Sequence, residues 1–137
     1  MKRFLLIIIC MICLVTGCGK ETYEQQSLNN ISINIKDITP ISATIVIKDT
    51  NESSYTYSEW YEIEKEVDSK WEKLEVNDDM VFNDKGYKVD GNNTIEFDMN
   101  WEDYYGSLEP GNYRLIKRVD NNYLYTYFTI ENDYNSK

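Results

Sequence analysis

From Ile31 onward the chain alternates apolar and polar residues with a period of two, the spacing of β-strands with one buried face. A first strand is predicted from Ile31 to near Asp37. After a turn at Pro40, a second strand with the same alternation runs from Ile41 to Lys48. Asp49 to Ser54 is rich in turn-forming residues and is predicted to be a loop.

Residues 55–67 (YTYSEWYEIEKEV) fit more than one kind of secondary structure. Trp60, Ile63 and Val67 have the spacing of one helix face, but the tyrosines of this segment share the parity of one strand face. The aromatic and β-branched content favours a strand. A tight turn at Asp68 to Lys70 then predicts a β-hairpin.

The remainder of the chain predicts further short strands and no long helix. The predicted strands are Trp71–Val76, a short one within Met80–Val89 broken at Gly86, Ile95–Trp101, one from the Pro110-Gly111 turn through Val119, and Tyr123–Glu131. A single helical turn is predicted over residues 101–105. About seven or eight strands, with turns roughly every 8–12 residues, predict an all-β antiparallel sandwich.

The amino-terminal segment has the features of an export signal. Lys2 and Arg3 precede the uncharged run Phe4–Leu14, which is shorter than the roughly 20 apolar residues needed to span a bilayer. Its length is typical of the apolar region of a secretory signal peptide. The sequence Val15-Thr16-Gly17-Cys18 that follows resembles the lipobox of bacterial lipoproteins.

The lipobox resemblance implies cleavage between Gly17 and Cys18 and attachment of a diacylglyceryl group to the Cys18 thiol. The cysteines lie at positions 10, 13 and 18, so the mature chain keeps only Cys18, and lipidation accounts for it. Two acyl chains give a stable membrane attachment. We therefore expect a lipid-anchored protein on the extracytoplasmic face of the cell membrane.

These observations divide the chain into four parts. Residues 1–17 are predicted to be the signal peptide, and residues 18–30 the lipidated cysteine with a polar, flexible tether. Residues 31–131 are predicted to form the sandwich domain, and residues 132–137 a disordered tail.

Charge and composition exclude several classes of function. The chain has a formal charge of −10, with 14 basic and 24 acidic residues; without Lys2 and Arg3 the mature charge is 12 − 24 = −12. Such a protein is repelled by phosphate backbones, so no nucleic-acid partner is expected. The chain has no histidine, which excludes Ser-His-Asp and Cys-His nucleophilic sites and ordinary zinc sites. No cofactor is expected.

Two acidic regions are weak candidates for chemistry. Asp78, Asp79 and Asp84 lie in an oxygen-rich loop that would suit calcium, but EF-hand spacing is absent and turns recruit aspartate for backbone reasons. The candidates for a carboxylate pair that cleaves glycosides are Glu59, Glu62, Glu64 and Glu66. The last three share one strand face, which we interpret as a solvated surface.

Aromatic residues are frequent, and alternate members are expected to fill the core. Trp60 has the parity of Glu62 and Glu64, so we predict that it is exposed. Because Trp and Tyr dominate interface hot spots, Trp60 is the residue most suited to a binding surface.

Three blocks carry a family resemblance: Ala43–Lys48, Tyr55–Leu74 and Trp101–Lys117. In their order and spacing they resemble a bacterial immunoglobulin-like domain found in envelope proteins and lipoproteins of low-GC Gram-positive bacteria. The most specific part is YGSLEPGNYR, residues 105–114, in which Leu108, Pro110 and Tyr113 resemble the tyrosine corner of such sandwiches. The resemblance implies an immunoglobulin-like sandwich and supplies no catalytic or cofactor residues.

The sequence therefore predicts a non-catalytic, membrane-anchored domain that binds another envelope or extracellular protein. A calcium-dependent or glycan-binding module is the alternative. A hydrolase that uses only carboxylates is the least favoured function, since the chain has no histidine.

Overall fold

The computed structural model describes residues 30–83 and 85–132. Within them the chain forms eight strands and one short helix: β1 (Ile31–Lys36), β2 (Ser42–Asp49), β3 (Tyr55–Val67), β4 (Lys70–Lys73), β5 (Gly86–Val89), β6 (Asn93–Asn100), α1 (Glu102–Tyr105), β7 (Gly111–Val119) and β8 (Asn122–Ile130). The predicted signal peptide, Cys18, most of the tether, Asp84 and most of the tail lie outside the described residues. Where the structure is described, none of its helices has the length and apolar character needed to cross a membrane.

The strands form two antiparallel sheets. One sheet has the order β1-β2-β6, and the other has the order β4-β3-β7-β8, with β5 pairing the amino-terminal half of β3. The fold is an all-β antiparallel sandwich, as the alternating pattern predicted.

The ambiguous segment 55–67 is a strand along its whole length. It is joined to β4 by a two-residue turn in which Asp68 and Ser69 both have positive φ angles, of 50° and 61°. This backbone matches the twist of a hairpin. The turn places Lys70 directly opposite Val67, so β4 starts one residue earlier than predicted.

The prediction that this hairpin arm extends to Val76 was wrong, because β4 ends at Lys73. After β4, the chain forms hydrogen bonds with α1. The backbone N–H of Asn77 donates to the carbonyl oxygen of Tyr104 at 2.8 Å, and its side-chain amide donates to that of Asp103 at 2.6 Å. The N–H of Leu74 still donates to the carbonyl oxygen of Ile63 at 3.0 Å, so the chain leaves β3 between Leu74 and Asn77. The predicted helical turn near residues 101–105 is confirmed as α1.

The core lies between the sheets and is filled by the inward parity of both. Ile45 and Ile47 from β2 face Ile63 from β3 and Leu115 from β7, all fully buried. Trp101 is also fully buried, and its indole Nε1 donates to the carbonyl oxygen of Pro40 at 2.9 Å.

The connection between α1 and β7 is fixed by one phenol. The Tyr113 hydroxyl donates to the carbonyl oxygen of Glu109 at 2.6 Å, and its ring stacks on Phe128 with centroids 5.4 Å apart. The neighbouring Leu108 is buried, and its N–H donates to the carbonyl oxygen of Pro40 at 2.8 Å. The predicted tyrosine corner is confirmed.

Replacing Tyr113 with phenylalanine should therefore destabilise the domain while leaving its packing in place. The Tyr113→Phe variant loses one hydrogen bond to a part-buried carbonyl, which is worth about 1 kcal/mol. We expect a lower urea midpoint with an unchanged m-value. Tyr127→Phe is the matched control, since that side chain is 53% exposed. Equal midpoints for the two variants would contradict the role given to the Tyr113 hydroxyl.

Candidate functional site

The outer face of the larger sheet carries a continuous group of aromatic and charged side chains. The strand registers place Glu64, Arg114 and Tyr127 in one row across β3, β7 and β8. Glu62 and Tyr125 occupy the adjacent row. We call this group the aromatic face, and it consists of Trp60, Glu62, Glu64, Trp71, Lys73, Arg114, Tyr123, Tyr125 and Tyr127.

Arg114 lies at the centre of the aromatic face. Its guanidinium carbon is 4.9 Å from the ring centroid of Trp71 and 4.8 Å from that of Tyr125. Its Nε donates to the carboxylate of Glu64. Cation–π contacts on two rings and an ion pair together hold the guanidinium in one position.

The prediction that Glu62 and Glu64 lie on a solvated surface was wrong. Glu62 is 2% exposed and Glu64 is 8% exposed, because the large side chains around them cover this face of β3. Glu62 pairs with the Lys73 ammonium at 2.5 Å, and Glu64 pairs with Arg114. Glu66, the third glutamate that was predicted to lie on this solvated surface, is exposed. Both buried carboxylates are thus occupied by cations rather than arranged as an acid and base.

Trp60 is partly rather than fully exposed, which corrects the prediction for this residue. Its ring meets Tyr123 edge to face, with centroids 6.0 Å apart. At the other end of the face, the ring centroid of Trp71 lies 5.6 Å from that of Tyr127, whose side chain is half-exposed. The rings of this face therefore pack against one another, and part of their surface remains accessible to solvent.

The candidate calcium loop is a tight turn where it is described. Asp78 and Asp79 are its exposed central residues, and the N–H of Met80 closes it by donating to the carbonyl oxygen of Asn77 at 2.9 Å. Asp84 lies outside the described residues. Across residues 30–83 and 85–132, His, Cys, Asp and Glu side chains form no group of three or more that is arranged to hold a metal ion.

A second polar region lies between the sheets, where β3 bulges. Tyr57 pairs with Val119 and Tyr61 pairs with Lys117, so three residues of β3 stand opposite one residue of β7. Inserting two extra residues keeps the parity of the strand, so both tyrosines still face the core. The bulge interrupts the ladder, and its carbonyl groups need other donors.

The ammonium group of Lys117 supplies those donors. It donates to the carbonyl oxygens of Glu59 and Trp60 at 3.1 and 3.3 Å, and it lies 5.4 Å from the ring centroid of Phe97. Lys117 is only 3% exposed. Burial lowers its pKa from 10.5 to about 8, and the nearby charge of Glu59 opposes that shift.

A cavity of about 630 Å³ adjoins the bulge. It lies between β6 and the β3–β5 pair and is lined mainly by apolar and aromatic side chains, among them Tyr57, Phe82, Val89, Ile95, Phe97 and Met99. Glu59, Tyr61 and Lys117 supply polar groups to it. In the described part of the chain, neither the buried Oε2 atom of Glu59 nor the buried hydroxyl of Tyr61 has a hydrogen-bond partner. Burial also raises the pKa of Tyr61.

Sequence reasoning missed Lys117 and the inward position of Glu59. The signal for Lys117 is its parity, because it falls in the same alternating set of β7 as Tyr113, Leu115 and Val119. Lysine is rarely fully buried unless it is paired, so a lysine at a core position of a strand indicates a buried polar site. Glu59 shares its parity with Tyr57 and Tyr61 in the same way.

Comparison with protein families gives one match. The family described as Bacterial Ig-like domain matches residues 25–134 of the chain. No curated protein matches the chain.

Because burial lowers the pKa of Lys117, the stability of the folded domain should rise with pH. Between pH 8 and 10.5 the folded protein has lost the Lys117 proton while the unfolded chain keeps it. The free energy of unfolding should therefore rise across this window, by up to about 3 kcal/mol. Above pH 10 the raised pKa values of Tyr57 and Tyr61 act in the opposite direction.

The measurement is urea unfolding from pH 7 to about 10 on the wild type and on Lys117→Met. The difference in unfolding free energy between the two should grow with pH in favour of the wild type. Lys88→Met, which removes an exposed lysine, is the control and should parallel the wild type. A constant difference between the wild type and Lys117→Met would contradict the depressed pKa.

Proposed function

The chain belongs to the family of bacterial immunoglobulin-like domains, as its sequence blocks indicated, and on this basis we propose that it is a lipid-anchored binding module of the cell envelope. In this proposal the domain has no catalytic role. It is held outside the cytoplasmic membrane by Cys18 and binds another envelope or extracellular protein.

The observation that carries the proposal is the composition and order of the aromatic face. Trp, Tyr and Arg are the residue types most enriched in interface hot spots. Trp60, Trp71 and Tyr127 keep part of their surface accessible, while Arg114 is already fixed by two rings and a carboxylate. Side chains that are ordered before binding lose less conformational entropy when a partner docks.

Charge pairing makes this face suitable for a protein partner despite the acidic chain. Within the aromatic face, Glu62 is paired with Lys73 and Glu64 is paired with Arg114. Local charge is therefore largely compensated here, although the chain as a whole has a formal charge of −10. A partner can cover such a face without burying a series of like charges.

The anchor is supported by the Val15 to Cys18 sequence and by the length of the segment that follows. At about 3.3–3.6 Å per residue, the chain between Cys18 and Asn30 reaches at most about 40 Å. The acidic domain is repelled by anionic headgroups. With these features we expect the domain to lie close to the membrane surface but not against it, within reach of a neighbouring envelope protein.

Site-specific photocrosslinking in living cells tests the proposed surface. Tyr127 on the aromatic face is replaced with photoreactive benzoylphenylalanine in one strain, and the exposed Val81 is replaced in a matched strain. We expect the position 127 probe to capture one envelope or extracellular protein reproducibly, as identified by mass spectrometry. The position 81 probe should not capture it.

The anchor is tested in the same cells with Cys18→Ser. Loss of the captured protein in this background would support a partner that is met at the membrane. Capture that is equal from positions 127 and 81, or no capture from position 127, would contradict the aromatic face as the binding surface. Capture that is unchanged by Cys18→Ser would contradict the requirement for the lipid.

A further inference from the structure

The cavity beside the β3 bulge has the size and lining of a small-molecule site. Its volume of about 630 Å³ lies within the roughly 300–1,000 Å³ that is usual for ligand pockets. Most of its wall is apolar, and six aromatic residues contribute to it: Tyr57, Tyr61, Phe82, Tyr87, Phe97 and Tyr104. Such a wall favours a flat, largely aromatic molecule.

Polar groups within the cavity are placed to orient a ligand. Tyr61 is 5% exposed, and its hydroxyl has no hydrogen-bond partner among the described residues. The buried Oε2 atom of Glu59 likewise has no donor there. Buried polar atoms are nearly always hydrogen-bonded in folded proteins, because leaving them unpaired costs free energy. A bound molecule with one donor group would satisfy Glu59.

Charge indicates that the ligand is uncharged. Lys117 and Glu59 contribute one positive and one negative group to the interior, so the two largely compensate each other. At the cavity's edge, Glu96 is paired with Lys36 at 2.8 Å, and Asp98 accepts a hydrogen bond from Thr44 at 2.9 Å. A cation near Glu59 would also meet the Lys117 ammonium, and an anion near Lys117 would also meet Glu59, so a charged molecule would lose its hydration without a net gain in charge pairing. Lys88 also borders the cavity, but its side chain is exposed.

We propose that this cavity binds one small, uncharged, mainly aromatic molecule that donates an N–H or O–H hydrogen bond to the Glu59 carboxylate. The site is separate from the aromatic face, because it lies between the sheets on the opposite side of β3. It therefore does not depend on the protein-binding function proposed above.

Two fluorescent probes with the same ring skeleton test the proposal. N-phenyl-1-naphthylamine is uncharged and carries one N–H donor, whereas 8-anilino-1-naphthalenesulfonate adds a sulfonate. Each is titrated into the full lipidated chain in nanodiscs, and empty nanodiscs are subtracted. We expect saturable binding of the neutral probe with one site per chain. The sulfonate should bind at least about tenfold more weakly.

Filling the cavity provides the structural control. Ile95→Trp and Val89→Trp add bulk from opposite walls of the cavity, and each should weaken binding of the neutral probe by at least about tenfold. Val81→Trp adds the same side chain at an exposed position outside the lining and should bind like the wild type. Two independent fillings keep the test valid if one variant fails to fold.

The proposal is overturned by any of three results. These are the absence of saturable binding to the wild type, unchanged binding in both filled variants when they are folded, and equal affinity for the two probes.

Discussion

The arrangement of this domain depends on the hydrogen bonds that the buried ammonium of Lys117 donates to the bulge of β3. At the bulge of β3 the ladder to β7 is interrupted, and Lys117 donates to two of the carbonyl oxygens left there. The Ser58 hydroxyl lies 3.3 Å from the carbonyl oxygens of Trp60, within the bulge, and Arg118, on β7, and donates to them. Burying a charged group costs free energy. The hydrogen bonds that Lys117 donates hold the irregular part of β3 in one conformation.

This bulge lets one strand serve two sides of the molecule. Because two residues are inserted, Tyr57 and Tyr61 both remain in the core, and Glu59 faces the cavity between the sheets. Trp60 lies on the opposite side against Tyr123. The aromatic face and the cavity therefore share a structural origin, although their proposed ligands differ: a protein on the outside and a small uncharged molecule within.

The sequence was a good guide wherever local pattern determines structure. Period-two alternation located the strands, and the residues around Pro110 and Tyr113 indicated the tyrosine corner. The bulge was not detectable in the same way, because an insertion of two residues leaves the parity unchanged. Burial of Glu62 and Glu64 was also missed, since parity assigns a side chain to a face without showing what covers that face. Here Lys73, from the neighbouring strand β4, and Arg114, from β7 much later in the sequence, pair with these carboxylates.

The most direct measurement of the central interaction is an NMR titration of the lysine side chains, with Lys117→Met used to assign the Lys117 Cε resonance. Lys117 is expected to titrate near pH 8, well below the ordinary lysine value of 10.5. That result would place the ammonium in the desolvated position beside the bulge. If Lys117 instead titrates near pH 10.5, as exposed lysines do, its ammonium is solvated. That result would contradict the role of Lys117 in holding the β3 bulge.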